Sequence, residues 1–229
     1  MEKGIIQLAF IQLFHRWREG AAVLVAFGLK RRFILPWLWL KLSYLLDGPY
    51  AVSRRYYRKT GVSDIYRYGE TPLTTLNEIA ARVGISDKDC VFELGAGSGF
   101  TSLWLNTVKN CRVTAIEQAP LFCWRLERLV RRFRLTGINV MCCDYLNTSL
   151  EGASVIYLYA SNLDEATITE LAVRLFELGA GIRIITVSYS LQPYLETSGR
   201  SGSFQLLDQF SVPFEWGEAE VYVQMLTGK

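Results

Sequence analysis

Three carboxylates and one glycine turn are the residues of this sequence whose types and spacing point to chemistry. Gly95-Ala96-Gly97-Ser98-Gly99 follows directly on the apolar run from Cys90 to Leu94. Glycines let a backbone approach a ligand closely, and the start of the helix that follows favours negative charge. The spacing is GxGxG, not the GxGxxG of dinucleotide binders. Glu93 stands just before the turn, Glu117 closes the next apolar run, and Asp144 follows the one after that. A carboxylate at the place of Glu117 accepts two hydrogen bonds from ribose hydroxyls. Asp144 accepts from an exocyclic adenine amine, with Tyr145 against the ring. Glu93 holds an ammonium, directly or through water. Taken alone, each acid is a solvated strand end. The three together with the glycine turn favour one adenosine-sized ligand that carries an ammonium group.

These residues need a scaffold that brings strand ends together. From about residue 73 the sequence alternates helical and strand patterns, which argues for a parallel sheet with crossover helices. Leu73 to Val83 is periodic and stops at Gly84. Cys90 to Leu94 is a strand, followed by the glycine turn and a helix through Leu105. Arg112 to Ile116 is a second strand. Pro120 opens a helix with Phe122, Leu126, Leu129, Val130 and Phe133 on one face and five arginines on the other, ended by Gly137. Ile138 to Cys142, Ser154 to Tyr159 and Ile182 to Val187 are the third, fourth and fifth strands, and Leu163 to Leu178 is helical. Phe204–Val212 and Ala219–Leu226 read as an antiparallel hairpin turning near Glu215-Trp216-Gly217. In an open parallel sheet the carboxyl ends of the strands line one crevice, where ligands bind.

Composition removes several other chemistries. The only histidine, His15, lies outside this α/β part, so a Ser-His-Asp triad or a histidine metal site there is excluded. Cys90, Cys111, Cys123, Cys142 and Cys143 are odd in number and have no CxxC spacing. They read as reduced thiols of a cytoplasmic protein, without a disulfide framework or a metal site.

Residues 1–67 form an N-terminal helical segment, basic and apolar, ahead of the domain of 68–229. The first 70 residues hold twelve Lys and Arg against five Asp and Glu, while the remainder is mildly acidic. This asymmetry points to an anionic partner, lipid or nucleic acid, or to a solvated basic helix. Ile5, Ile6, Leu8, Ala9, Leu13, Phe14 and Trp17 make one stripe of an amphipathic helix. An apolar run from Ala21 to Leu29 stops at Lys30-Arg31-Arg32, and a second runs from Phe33 to Leu46. Neither reaches the ~20 residues needed to span a bilayer, and no small-residue cleavage site follows the first. Two readings stay open: helices lying in a membrane interface at its cytoplasmic face, or helices covering a face of the α/β domain. Arg54-Arg55-Tyr56-Tyr57-Arg58-Lys59 is basic and aromatic, suited to phosphate groups or to a solvated helix end.

VFELGAGSGF at Val91–Phe100 resembles the first motif of the class I methyltransferases. Upstream, YGETPL at Tyr68–Leu73 precedes a helix. YGET followed by such a motif resembles the Dot1-type lysine methyltransferases, in which that loop folds over the methionine end of the cofactor. The similarity runs from about Tyr68 to Val187 and takes in CCDYL at Cys142–Leu146 and SVIYLYASN at Ser154–Asn162. The chain also resembles the small membrane-associated lysine methyltransferases related to ATP synthase c-subunit modification. The resemblance implies a Rossmann-like class I sheet with a C-terminal antiparallel hairpin, S-adenosyl-L-methionine as cofactor, and N-methylation of a protein lysine without a metal. It assigns Tyr68, Glu70 and Thr71 to the cofactor loop, and Glu93, Gly95, Gly97, Gly99 and Phe100 to the first motif. Glu117 takes the ribose, and Asp144 with Tyr145 the adenine. Tyr157 and Tyr159 are candidates for lining the acceptor channel, with ordinary core packing as the other reading of both. Dot1-type enzymes have Asn-Asn-Phe after the fourth strand, whereas this chain has Tyr159-Ala160-Ser161. No Asn/Asp-Pro-Pro-Tyr/Phe and no Pro-Cys follows that strand, so no nucleic-acid substrate is expected. Methylation of a small molecule or lipid headgroup, or cofactor binding without turnover, are the alternatives.

Overall fold

A computed structural model describes residues 17–226, apart from 63, 67, 160, 162, 201 and 215. Most of the stripe expected over residues 5–17 lies outside the described residues, as do His15, Ala160, Asn162 and Glu215. The elements in chain order are α1 (17–27 among described residues), α2 (Arg31–Ser43), α3 (Pro49–Thr60), α4 (Leu73–Arg82), β1 (Cys90–Leu94), α5 (Phe100–Val108), β2 (Arg112–Glu117), α6 (Pro120–Phe133), β3 (Ile138–Cys142), β4 (Val155–Tyr159), α7 (Glu165–Glu177), β5 (Arg183–Val187), α8 (Gln192–Thr197), β6 (Phe204–Phe214) and β7 (Gly217–Leu226).

Seven strands form one sheet in the order β3-β2-β1-β4-β5-β7-β6. The first five are parallel, and β7 runs antiparallel to both β5 and β6. Strands covered on both faces read as continuous apolar runs, and β4, Val-Ile-Tyr-Leu-Tyr, shows why. Val155 and Tyr157 enter a core shared with α1, α2, α4, α5 and α6, while Ile156 and Leu158 enter a second core with α7 and α8.

Local signals set most of the element ends. Pro120 begins α6, and Arg134 closes it in the left-handed region at φ 50°. The Asp164 side chain accepts from Thr167 N at 2.8 Å, so α7 begins at Glu165, later than its apolar pattern suggests. Two features were not legible. The six-residue α8 is too short to show a period. β6 continues through Pro213 because it is an edge strand, where a missing N–H removes no ladder bond.

The N-terminal helices pack on the α/β part. α2 lies across α5 and α6. Phe33 and Leu40 have no exposed surface, and Phe27 meets Trp104 of α5 edge-on at 5.8 Å. Among the described residues no helix is long and apolar enough to cross a membrane. The outward side of this region is apolar as well: Leu24 and Val25 of α1, Leu35 and Leu42 of α2, and Leu29, Leu45 and Leu46 in the turns beside them are exposed.

The two sides of α2 predict opposite mutational costs. Phe33→Ala removes a ring with no exposed surface and is expected to lower unfolding stability by about 3–5 kcal/mol. Leu35→Ala, two residues away and more than half exposed, is expected to change it by less than about 0.5 kcal/mol. Urea denaturation of both variants checks this; equal costs would mean that α2 does not share the core.

Candidate functional site

The glycine turn leaves the C-terminal end of β1 with Gly95, Gly97 and Gly99 all at positive φ, 78°, 52° and 84°, where a side chain would be strained. Its backbone is tied to the neighbouring strand. Gly95 N and Ala96 N both donate to Ile116 O at 2.9 Å. The three glycines have different surroundings. A Cβ at Gly95 would meet nothing, one at Gly97 would press on the Tyr68 ring at 3.0 Å, and one at Gly99 would overlap Leu126 of α6 at 2.8 Å. Only Gly95 therefore stands under open space, while Gly99 is small so that α5 and α6 can pack.

Glu117 ends β2 and holds the turn in shape. Gly97 N donates to one of its oxygens at 2.8 Å, and Ala119 N to the other at 2.7 Å. Burial raises its pKa and these backbone donors work against that rise. Each carboxylate oxygen keeps a further acceptor position.

Glu93, on β1 opposite Ala115 and so two register places from Glu117, is 5% exposed. It accepts from the Ser102 hydroxyl and from Thr101, both on α5. Burial pushes its pKa up to about 8, and the nearby Glu117 adds to the rise. No cation pairs with it among the described residues, so it is a buried acid with room for a positive ligand group.

The loop of Tyr68, Glu70 and Thr71 is pinned over the turn. The Tyr68 hydroxyl donates to Glu70 and accepts from Ser98 N at 3.2 Å, and the Ser98 hydroxyl donates to Glu70. The Tyr68 ring stacks on Phe122 at 5.4 Å, and burial drives its pKa well up. Thr71 shares a 2.6 Å hydrogen bond with the buried Tyr157 hydroxyl. Tyr157 thus anchors the loop to β4.

A cavity of about 660 Å³ lies between this loop, the turn and the N-terminal helices. Tyr68, Glu70, Thr71, Glu93, Gly95, Gly97, Phe100, Tyr157 and Tyr159 border it; Gly99, Glu117, Asp144 and Tyr145 do not. Asp144 instead caps the short turn of 145–147, accepting from Leu146 N at 2.9 Å and Asn147 Nδ2 at 3.0 Å. Tyr145 packs against the second core. Glu117 and Asp144 still share one neighbourhood, since both raise the pKa of Tyr56 on α3, after burial.

Sequence reasoning missed the opposite wall. Val23, Trp37, Leu38, Lys41, Leu42 and Leu45 of the N-terminal helices line the cavity, and Tyr44 donates to Ser98 O at 3.3 Å. Arg125 holds that region down: its guanidinium lies 4.4 Å over the Tyr44 ring and donates to Asp47 O at 3.1 Å. No motif marks these residues. Also missed was a second, adjoining cavity of about 300 Å³, with Tyr50, Tyr66, Tyr159, Trp216, Glu70 and Ser161 around it. Trp216 Nε1 donates to the Tyr159 hydroxyl at 3.1 Å, and the buried Ser161 hydroxyl has no partner among the described residues. Gly69 packs directly on the Tyr159 ring. Among the described residues no group of His, Cys, Asp and Glu could hold a metal ion.

No protein-family model matches the chain, and no curated protein matches it in sequence. Solved structures do match in fold. An RNA methyltransferase from Salinibacter ruber, in complex with S-adenosyl-L-homocysteine, is 16% identical with a TM-score of 0.56, over 70% of this chain and 95% of that one. The magnesium protoporphyrin IX methyltransferase of Synechocystis, with bound SAM, is 13% identical with a TM-score of 0.55, over 78% and 97%. The mitomycin 7-O-methyltransferase MmcR is 16% identical with a TM-score of 0.51, over 68% and 54%. The chain has the Rossmann-like class I methyltransferase fold, with its C-terminal antiparallel hairpin.

Glu93 predicts a sign for the pH dependence of stability. Its carboxyl titrates near 4.5 in the unfolded chain and near 8 in the fold. Between those values the folded protein keeps a proton that the unfolded chain has lost, so stability falls as pH rises. One such group contributes a slope of at most about 1.4 kcal/mol per pH unit. Glu93→Gln should flatten the dependence across that window and be relatively more stable above it. Parallel slopes in denaturation of parent and variant would refute the assignment.

Proposed function

We propose that this chain is an S-adenosylmethionine-dependent methyltransferase that N-methylates a protein lysine. The observation that carries the cofactor part is the Glu93 carboxyl, buried beside a glycine turn and lacking a cationic partner among the described residues. An amino-acid ammonium supplies that partner. Gly95 leaves open space for the ligand's approach. Glu117 is half-buried and rigidly held, and its remaining acceptor positions suit the two hydroxyls of a ribose. Asp144 and Tyr145 stand next along the strand ends, where an adenine would follow. The loop supports the fit: Tyr68 and Glu70 close over the turn, where the methionine end of the cofactor would lie under this reading. When bound, the cofactor supplies an electrophilic methyl group on a sulfonium, already activated for in-line displacement.

The protein's share of the reaction is then binding, orientation and exclusion of water. The acceptor reading rests on the second cavity. Five aromatic side chains, Tyr50, Tyr66, Tyr68, Tyr159 and Trp216, surround it with Glu70 at its junction with the first. Aromatic faces and one carboxylate suit an alkylammonium. Desolvation there lowers the amine's pKa and favours the neutral form that attacks. Solved structures of this fold bear the names of RNA, porphyrin and mitomycin methyltransferases, so the fold itself does not select an acceptor. One feature favours a second reading, a lipid headgroup or small amine: the wall opposite the turn is mostly apolar, built by Val23, Trp37, Leu38, Leu42 and Leu45 with Lys41 among them.

Calorimetry with S-adenosylhomocysteine tests the cofactor. Glu117→Ala removes two charge-assisted acceptors and should weaken binding by about 100-fold or more, with circular dichroism of the variant unchanged. Absence of binding to the parent protein ends the reading. Trp216→Ala should raise KM for the acceptor several-fold and leave S-adenosylhomocysteine affinity as it is. Labelled methyl donor in a native extract then sorts the acceptors. Label on lysine supports the proposal, label in lipid selects the second reading, and binding without any transfer leaves a cofactor-binding protein without turnover.

A further inference from the structure

We propose that the outward side of α1 and α2 docks on an anionic lipid bilayer, with the mouth of the large cavity opening at that surface. α2 contains eight consecutive apolar residues, 33 to 40. A helix cannot place eight successive residues on one face, so both of its sides are apolar. The α/β domain covers one side, through Phe33, Ile34, Trp37 and Leu40. Among the described residues the other side is left in water: Leu35, Leu38 and Leu42 of α2 are 55%, 42% and 67% exposed, and Val25 of α1, Leu29 in the turn before α2 and Leu46 just after it are 89%, 99% and 99% exposed. Scattered exposed leucines are ordinary, but a contiguous set marks an interaction surface.

Charge selects the occupant. Residues 17–46 carry Arg18, Lys30, Arg31, Arg32 and Lys41, all exposed, against a single acid, Glu19. Glu19 is directed at the start of α4, where it accepts from Thr74 N at 3.1 Å and the Thr74 hydroxyl at 2.7 Å. The surface is thus apolar with a cationic border. A second copy across a two-fold axis would set five cations against five, a repulsive arrangement. A nucleic acid strand uses cations and stacking aromatics, and leaves exposed leucines without partners. A bilayer with acidic headgroups satisfies both components, with leucines entering the acyl boundary and Lys and Arg at headgroup level.

The cavity links this surface to the site. Leu38, Leu42 and Leu45 line the cavity and are also exposed on the outward side. A bilayer against that side therefore meets the cavity mouth, and the acceptor would be a group presented at a membrane surface. This last step rests on the methyltransferase reading; the docking does not.

The test uses the full chain and sedimentation with vesicles of phosphatidylcholine, alone or with about one-third phosphatidylglycerol. The anionic vesicles should retain the protein and the neutral ones should not, with retention falling as salt rises. Leu29→Asp together with Leu46→Asp, neither in the cavity, should weaken vesicle binding at least about tenfold and leave S-adenosylhomocysteine binding unchanged. Failure to bind either vesicle, or a double variant that binds like the parent, overturns the docking. A chain that sediments as a dimer without lipid, with the double variant monomeric, also overturns it and assigns the surface to a second copy. Vesicle binding without S-adenosylhomocysteine binding would sink the cofactor reading alone.

Discussion

The glycine turn keeps its shape because its backbone donors are taken up by β2. Gly95 and Ala96 both donate to the Ile116 carbonyl, and Gly97 donates to the Glu117 carboxylate. A chain reversal of alternating positive-φ glycines is entropically costly to hold in one conformation, and these bonds fix it without any side chain in the way. The consequence spreads outward. With the turn fixed, Ser98 presents its N–H to Tyr68 and its hydroxyl to Glu70, so the loop of 68–71 has a defined seat. Tyr68 then stacks on Phe122 of α6, and Thr71 reaches Tyr157 on β4. One carboxylate at the end of one strand therefore organises a turn, a loop and two packing contacts.

The N-terminal helices extend the same logic to the far side of the cavity. They are part of the first hydrophobic core, since Val23, Phe27, Phe33, Trp37 and Leu40 are buried with residues of α4, α5 and α6. Their position is specified by polar contacts as well as by area. Tyr44 reaches the Ser98 carbonyl, Arg125 reaches Asp47, and Glu19 closes the start of α4. Apolar packing supplies most of the free energy, while directional contacts of this kind set where the helices sit. The cavity is thus bounded by the carboxyl end of the parallel strands on one side and by the wall of N-terminal helices on the other. Under the methyltransferase reading, the first would hold the cofactor and the second would shape what is admitted beside it.

The strand-and-helix pattern of 73–226 was legible because each signal is local. Strands covered on both faces are continuous apolar runs, helices have one apolar stripe, and Pro120, Gly84 and the Gly95–Gly99 turn punctuate them. The carboxylates at strand ends were legible for the same reason, since a parallel sheet puts its carboxyl ends side by side. What escaped was set by contacts distant in sequence. Nothing near Leu38 or Lys41 announces that they face Gly95, and Trp216 meets Tyr159 across 57 positions. Asp144 shows a different limit. Its place after the third strand was legible, but its local donors, Leu146 N and Asn147 Nδ2, engage it in a capping turn. An aspartate at such a position serves its own backbone first.

The placement of acids around the cavity gives the proposed chemistry a direction. Glu93 and Glu70 both border the same space, yet their surroundings differ. Glu93 is sealed by α5, and burial holds its pKa near 8, so a cationic ligand group would draw the carboxyl into its charged form and release a proton near neutrality. Glu70 is already engaged by two hydroxyl donors and sits where the large cavity meets the aromatic one. A cation bound beside Glu93 is therefore paired with a fresh charge in a dry setting, whereas one beside Glu70 meets a carboxylate partly satisfied and ringed by π faces. The first environment suits a cofactor ammonium that must stay charged and fixed. The second suits an amine that must be recognised as a cation and then give up its proton before it can attack.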